Sequence, residues 1–283
     1  MVSTLLKTNY MPELPEVESV RQLLSTGEPS LPGAVVNRVE VLRNTVIGGG
    51  QSAHQLQHEI VGAVFHEIFR HGKYLFFRLR PARGTKSLWM AIHLRMRGRL
   101  FLVPAATAVS RHTRFVLYLD RGLALRFDDP RAFGRVWLIA DPAEVISTLG
   151  PDALELDYHQ FVQRLAGHRR QIKPLLLDQS VIAGLGNIYV DESLFRAGLH
   201  PLRTAATLTD EERRRLYGAV HAVLEQAVRC KGANIAGVFE AGNFPVAVYG
   251  RTGLPCDVCG SPIVKQKVGQ RGTHLCLRCQ PVG

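Results

Sequence analysis

Four cysteines near the end of the chain set the tightest limit on what it can fold into. There are five cysteines in 283 residues, and four form Cys256-x2-Cys259 and, sixteen residues on, Cys276-x2-Cys279. Two such pairs suit two knuckles that present four thiolates tetrahedrally to one zinc ion. Two disulfides are the competing use of the same residues. They fit poorly, because Leu5-Leu6 is far too short for the apolar core of a secretory signal, and thiols stay reduced in a chain that is not exported. Closed, all-cysteine coordination makes one Zn2+ structural rather than catalytic.

A second feature lies at the other end, in Met11-Pro12-Glu13-Leu14-Pro15-Glu16-Val17-Glu18. Inside a chain the Pro12 nitrogen is a tertiary amide with its lone pair delocalised. As a first residue it is a secondary amine, and an α-amino group titrates at about 7.7–8.0, so a neutral fraction exists near pH 7. Such an amine can attack a sugar C1′ and form an iminium. Glu13 can then give a proton to the departing or ring oxygen. The same residues also make an ordinary helix start, where proline and acids are favoured. These eight residues alone leave both readings open.

Charge narrows the partner. The net charge is +11. From Arg70 to Arg99 there are nine Lys or Arg and no acid, and from Ala247 to Gly283 five bases face Asp257 alone. Two such blocks fit a polyanion footprint, with binding that weakens steeply in salt. No 18-residue apolar run occurs, so a membrane role is not expected.

Periodicity divides the chain. Val17 to Ser25 has helical spacing. Val35 to Ile139 reads as short alternating strands, including Tyr74-Leu75-Phe76-Phe77-Arg78, which favours an antiparallel sandwich or barrel. After Leu149-Gly150-Pro151 the pattern turns helical at Tyr158 to Leu165, Ile172 to Leu177, Asn187 to Ala197 and Asp210 to Arg229, the last opening with a Thr209…Glu212 capping box. Gly184-Leu185-Gly186 is read as exposing a helix start where a phosphate docks, with Asn187 as its cap.

Together these segments resemble the bacterial formamidopyrimidine-DNA glycosylase and endonuclease VIII family. The resemblance runs from Pro12 to about Gln280 and rests on MPELPEVE (11–18), GKYL (72–75), DPRAFG (129–134), LDQSVIAGLGNIYVDESLF (177–195) and YGRTGLPCDVCG (249–260). It implies an α+β multi-domain fold: an N-terminal antiparallel β-sandwich over 12–149, a helix–two-turn–helix domain over 150–240 and a C-terminal zinc-finger β-hairpin over 247–281. Residues 1–11 are expected to be a disordered or untranslated extension. The implied activity is base-excision repair of oxidised purines in damaged double-stranded DNA, by a cytoplasmic monomer with no obligate protein partner. Pro12 is the implied nucleophile and Glu13 the acid. Lys73 and Arg271 are implied in β- and δ-elimination, and Glu16 organises the Pro12 end. Met96, Arg131 and Phe133 fill the space left by a flipped base, while His112, Asn187 and Arg169 meet the DNA backbone. Met96 and Phe133 have core packing as their competing reading.

Three departures bear on function. Ten residues precede Met11, and Pro12 is reactive only if they are absent. Arg95 and Arg97 flank Met96 where the family has glycine and a small hydroxyl residue. The loop over 231–249 is several residues short, which puts the preferred lesion in doubt. An endonuclease VIII-like enzyme for oxidised pyrimidines, and a non-catalytic damage binder with Pro12 blocked, are the competing functions.

Overall fold

The computed structural model describes residues 11–82, 88–234 and 242–282. The extension over residues 1–10 and the middle of the 231–249 loop lie outside the described residues. The described chain falls into two compact units: residues 11–12 with 16–147, and residues 13–15 with 148–234 and 242–282.

The first unit holds most of α1 (Leu14–Thr26), then β1 (Val36–Val41), α2 (Ala53–Ile60), β2 (Val64–His71), β3 (Tyr74–Arg80), β4 (Leu88–His93), β5 (Arg99–Pro104), β6 (Thr113–Leu119), β7 (Leu123–Asp128), β8 (Arg135–Ile139) and the short α3 (Ala143–Ile146). Two four-stranded antiparallel sheets form, in the orders β1-β6-β7-β5 and β2-β3-β4-β8. Alternation in the strands decides which residues meet. Leu75 and Phe77 join Phe65, Phe115, Leu117, Leu125 and Phe127 in the main core, with Val17, Val20 and Leu24 of α1. Phe76, between them in sequence, faces the other way and stacks on Phe69 at 4.8 Å in a smaller aromatic cluster with Tyr74, Trp89 and Trp137. The β2-β3-β4-β8 sheet is therefore packed on both faces, which explains its nearly unbroken apolar strands.

α2 interrupts the stretch read as β. Its start carries a full capping box: Gln55 N donates to Ser52 Oγ at 3.1 Å, and Ser52 N donates to Gln55 Oε1 at 2.8 Å. The Ser-x-x-Gln signal was present but masked by the flanking β pattern.

The second unit holds α4 (Tyr158–Leu165), α5 (Ile172–Leu176), α6 (Asn187–Ala197), α7 (Asp210–Arg229) and a hairpin of β9 (Val264–Val268) with β10 (Arg271–Leu275). The two turns over 177–186 join α5 to α6, and α6 packs on α7. At the head of α7, Glu212 N donates to Thr209 Oγ1 at 3.2 Å and Thr209 N donates to Glu212 Oε2 at 2.8 Å. Glu212 also takes both guanidinium nitrogens of Arg203, at 2.8 and 3.1 Å. No helix among the described residues is long and apolar enough to cross a membrane. Thr209→Ala is expected to destabilise the protein by about 1 kcal/mol, the usual value of such a cap. The urea midpoint reads this, and an unchanged midpoint would assign the helix start to the Arg203–Glu212 pair alone.

Candidate active site and metal centre

Glu13 is 3% exposed, and its carboxylate lies at the N-terminus of α6. Ile188 N donates to one oxygen at 2.9 Å and Tyr189 N to the other at 3.3 Å. These N–H groups have no partner within the helix, and the helix end favours a negative charge there. The preceding loop is shaped to admit this side chain. A β-carbon on Gly186 would come within 2.2 Å of the Glu13 carboxyl carbon. One on Gly184, whose φ is +108°, would come within 2.4 Å of Leu14, and Leu14 N donates to Gly184 O at 3.2 Å. The glycine pair is thus a cradle for Glu13-Leu14.

This corrects two expectations. The α6 start is occupied by Glu13 and is not open to a phosphate. Asn187 is not its cap either, because Gly186 holds that position and no side chain caps it. Asn187 instead donates from Nδ2 to Gly272 O on β10 at 2.9 Å, leaving its buried Oδ1 with no hydrogen-bond partner.

A buried frame unforeseen from the sequence supports this end. Lys173 is wholly buried, and its Nζ donates to Asp191 Oδ1 at 2.6 Å, Thr273 Oγ1 at 2.8 Å and Gly272 O at 3.2 Å. Burial pushes the Lys173 ammonium down, while the Asp191 carboxylate opposes the shift. The other oxygen of Asp191 accepts His274 N at 2.9 Å. The next residue, Glu192, accepts three consecutive N–H groups, from Ala247, Val248 and Tyr249, at 2.8, 3.0 and 2.8 Å. Tyr249 packs edge-on against His274, with ring centroids 4.8 Å apart, and burial pushes its phenol up to about 12. Neighbouring acids in a helix ordinarily read as a solvated face, so only their partners, 18 to 83 residues away, reveal this role. Arg271, exposed, follows the tight turn at Gly269-Gln270, where φ is +54° and +65°, as in hairpins of the primed type.

The four cysteines of the pairs are unbonded to one another and converge, with all four sulfurs within 4.8 Å. The Cys256–Cys279 and Cys259–Cys276 separations of 3.8 and 3.4 Å exceed the ~2.05 Å of a disulfide. They approach the ~3.8 Å edge of a tetrahedron with ~2.3 Å Zn–S bonds. The donor set therefore fits one structural Zn2+.

In the first unit, Pro12 is buried, Glu16 is wholly buried in α1, and Lys73 is 4% exposed in the Gly72-Lys73 turn between β2 and β3. Arg70 steadies that turn by donating to Gly72 O at 3.0 Å and to Glu18 of α1 at 3.1 Å. His93, buried beside them, is pushed down to about 3 by burial and by the charges of Arg95 and Lys73. Asp129 organises the β7–β8 turn: Arg131 N, Phe133 N and Gly134 N donate to its carboxylate at 2.9, 2.7 and 2.8 Å. The turn holds Phe133 47% exposed, with the Arg131 guanidinium 4.7 Å from its ring centre. Met96 sits half-buried in the β4–β5 turn. Neither Phe133 nor Met96 belongs to the sandwich core. His112 precedes β6, and its carbonyl accepts Asp129 N at 2.8 Å. Arg169 is exposed beside Arg170, which is paired with Asp178 at 2.8 Å.

Three family models match in order. The formamidopyrimidine-DNA glycosylase N-terminal domain matches residues 11–136, the formamidopyrimidine-DNA glycosylase H2TH domain residues 149–238, and the zinc finger found in FPG and IleRS residues 253–282. The chain belongs to the formamidopyrimidine-DNA glycosylase family. The formamidopyrimidine-DNA glycosylase of Symbiobacterium thermophilum is 42% identical, over 96% of this chain and 90% of that protein. That of Pelotomaculum thermopropionicum is 40% identical, over 96% and 100%. A crystal structure of Lactococcus lactis Fpg (MutM) with DNA containing N7-benzyl-Fapy-dG has a TM-score of 0.86 and 32% identity, covering 96% of this chain and 100% of that one. Another holds an abasic-site DNA at the same TM-score and 31% identity.

Two outcomes test the frame. Lys173→Met is expected to cost about 3–5 kcal/mol, because it leaves Asp191 buried without its counter-charge; a urea-midpoint change worth under about 1 kcal/mol would refute the pairing. Cys276→Ser is expected to lower bound zinc, measured by elemental analysis, from one ion per chain to none.

Proposed function

We propose that the chain is a base-excision DNA glycosylase with AP-lyase activity on oxidised purines, with Pro12 as nucleophile and Glu13 as proton donor. The observation that carries this reading is the Glu13 carboxylate, next in sequence to Pro12 and fixed by the backbone of α6. A free Pro12 amine attacks C1′ of the damaged nucleotide. The bond from C1′ to the base breaks, and the base leaves with the electron pair and takes a proton. The amine gives its own proton to the Glu13 carboxylate, while the base is protonated from water. The C1′–O4′ bond then opens, Glu13 delivers a proton to O4′, and an iminium joins Pro12 to the sugar. Loss of a C2′ proton expels the 3′ phosphate, and a second elimination expels the 5′ phosphate. Lys73 and Arg271 serve these two steps by holding phosphate and moving protons, and buried Glu16 supports the Pro12 end.

The reading requires Pro12 as the first residue of the working enzyme. The family match starting at residue 11 supports removal of what precedes it. Met96, Arg131 and Phe133 occupy the gap left by the flipped base, which offsets part of an unstacking cost of a few kcal/mol. His112, Asn187 and Arg169 bind the strand backbone, and one zinc holds the C-terminal knuckles. The enzyme acts as a cytoplasmic monomer on damaged duplex DNA.

Borohydride trapping tests this on duplexes carrying 8-oxoguanine, a formamidopyrimidine, a hydantoin or thymine glycol. The expected result is a covalent adduct from protein whose intact mass begins at Pro12, none from protein beginning at Met1, and purine lesions ranking first. Glu13→Gln should slow adduct formation by about 10²–10⁴-fold while leaving lesion binding in place. No adduct from either form, with tight lesion binding, would make this a damage-binding protein.

A further inference from the structure

Arg95 occupies a backbone conformation that disfavours it. Its φ is +54° in the turn between β4 and β5, and a left-handed residue with a β-carbon costs about 1–2 kcal/mol. Two hydrogen bonds impose this: Gly98 N donates to Leu94 O at 3.0 Å, and Arg95 N donates to Nδ1 of buried His93 at 2.9 Å.

Nothing inside the protein rewards the arginine. Its side chain is exposed, and Arg97, two residues on, is half-buried. Among the described residues, ion pairs of this unit include those of Glu18, Glu40 and Glu67, and none involves Arg95 or Arg97. The nearest acid along the ladder, Asp128 opposite Arg99, already accepts the hydroxyls of Thr113 and Ser110 at 2.6 and 3.1 Å. Arg99 itself is 5.7 Å from the ring centre of Phe101. The turn thus carries two unpaired cations on either side of Met96, one of them in a strained conformation. Strain that the fold enforces without internal gain points to a task outside the protein.

We infer that Arg95 and Arg97 form a phosphate clamp flanking Met96, gripping the DNA backbone beside the gap that Met96 fills. This rests on the function proposed above. Because the clamp holds phosphate, it acts on affinity and its salt dependence, and carries no base recognition.

The test uses a duplex with a tetrahydrofuran abasic analogue, which has no C1′ leaving group, and an undamaged duplex of the same sequence. Arg95→Gly and Arg97→Ser are each expected to flatten the slope of log K against log[KCl] by about 0.9. The rise in Kd between 50 and 200 mM KCl then shrinks about 3.5-fold per arginine. Arg95→Lys should restore the slope, because charge rather than shape carries the effect, and the Tm of Arg95→Gly should hold or rise. Unchanged slopes in both variants overturn the clamp. So does a lowered Tm for Arg95→Gly, which would make the side chain a packing element. Failure of the parent reading registers separately, as no borohydride adduct from the wild-type chain beginning at Pro12.

Discussion

A single carboxylate at a helix start organises the second unit. Burying Glu13 would be costly if its charge met no donors. The first-turn N–H groups of α6 supply them, and a helix N-terminus favours an anion by about 0.3–1 kcal/mol, more when partly buried. The carboxylate can approach that backbone only because residue 186 lacks a side chain, and residue 184 makes the same room for Leu14. Seen this way, Gly-Leu-Gly is less a flexible linker than a cavity of fixed size. Its position leaves the acid with little freedom, which suits the proton-donor role proposed for it beside Pro12.

The same helix then spends its other carboxylates on its neighbours. Asp191 holds Lys173 and the β10 backbone, and Glu192 holds residues 247–249, which lead into the zinc knuckles. Asn187 adds a bond to Gly272, one residue from Arg271. Arg271 therefore stands on a strand bonded directly to α6, whose first turn orients Glu13. The zinc ion would lock the far end of the same hairpin. Chelation should therefore disturb Arg271 although no thiolate takes part in the chemistry.

How much of this was readable follows from what each signal depends on. The helices at 158–165, 187–197 and 210–229 and the sandwich strands have local causes, namely caps and alternation, and their positions were legible. So was the four-thiolate site, because its spacing is local. The Glu13 cradle was half legible: the glycines stood out, but their guest lies about 170 residues earlier, so the helix end read as vacant and Asn187 read as its cap. Lys173, Asp191 and Glu192 were invisible for a related reason. α6 is buried nearly all round, so it has no polar stripe against which an inward-facing acid would look anomalous. α2 was lost because its capping box sat inside a β-rich context.

The residues proposed to touch DNA obey a common rule. Phe133 and Arg131 project from a turn whose backbone is pinned by buried Asp129, and Gly134 leaves room for the Phe127 ring, which a β-carbon would meet at 2.2 Å. Met96 projects from a turn closed on buried His93, and Lys73 from one steadied by Arg70. In each case a buried polar group fixes the backbone of the turn that carries the side chain. A wedge inserted between bases must hold its shape against stacking forces of a few kcal/mol. A tip whose backbone bonds are already made loses little freedom on insertion, so more of its contact energy opposes restacking. On the proposed reading, the buried histidine and aspartate therefore serve lesion recognition as much as the side chains assigned to the gap.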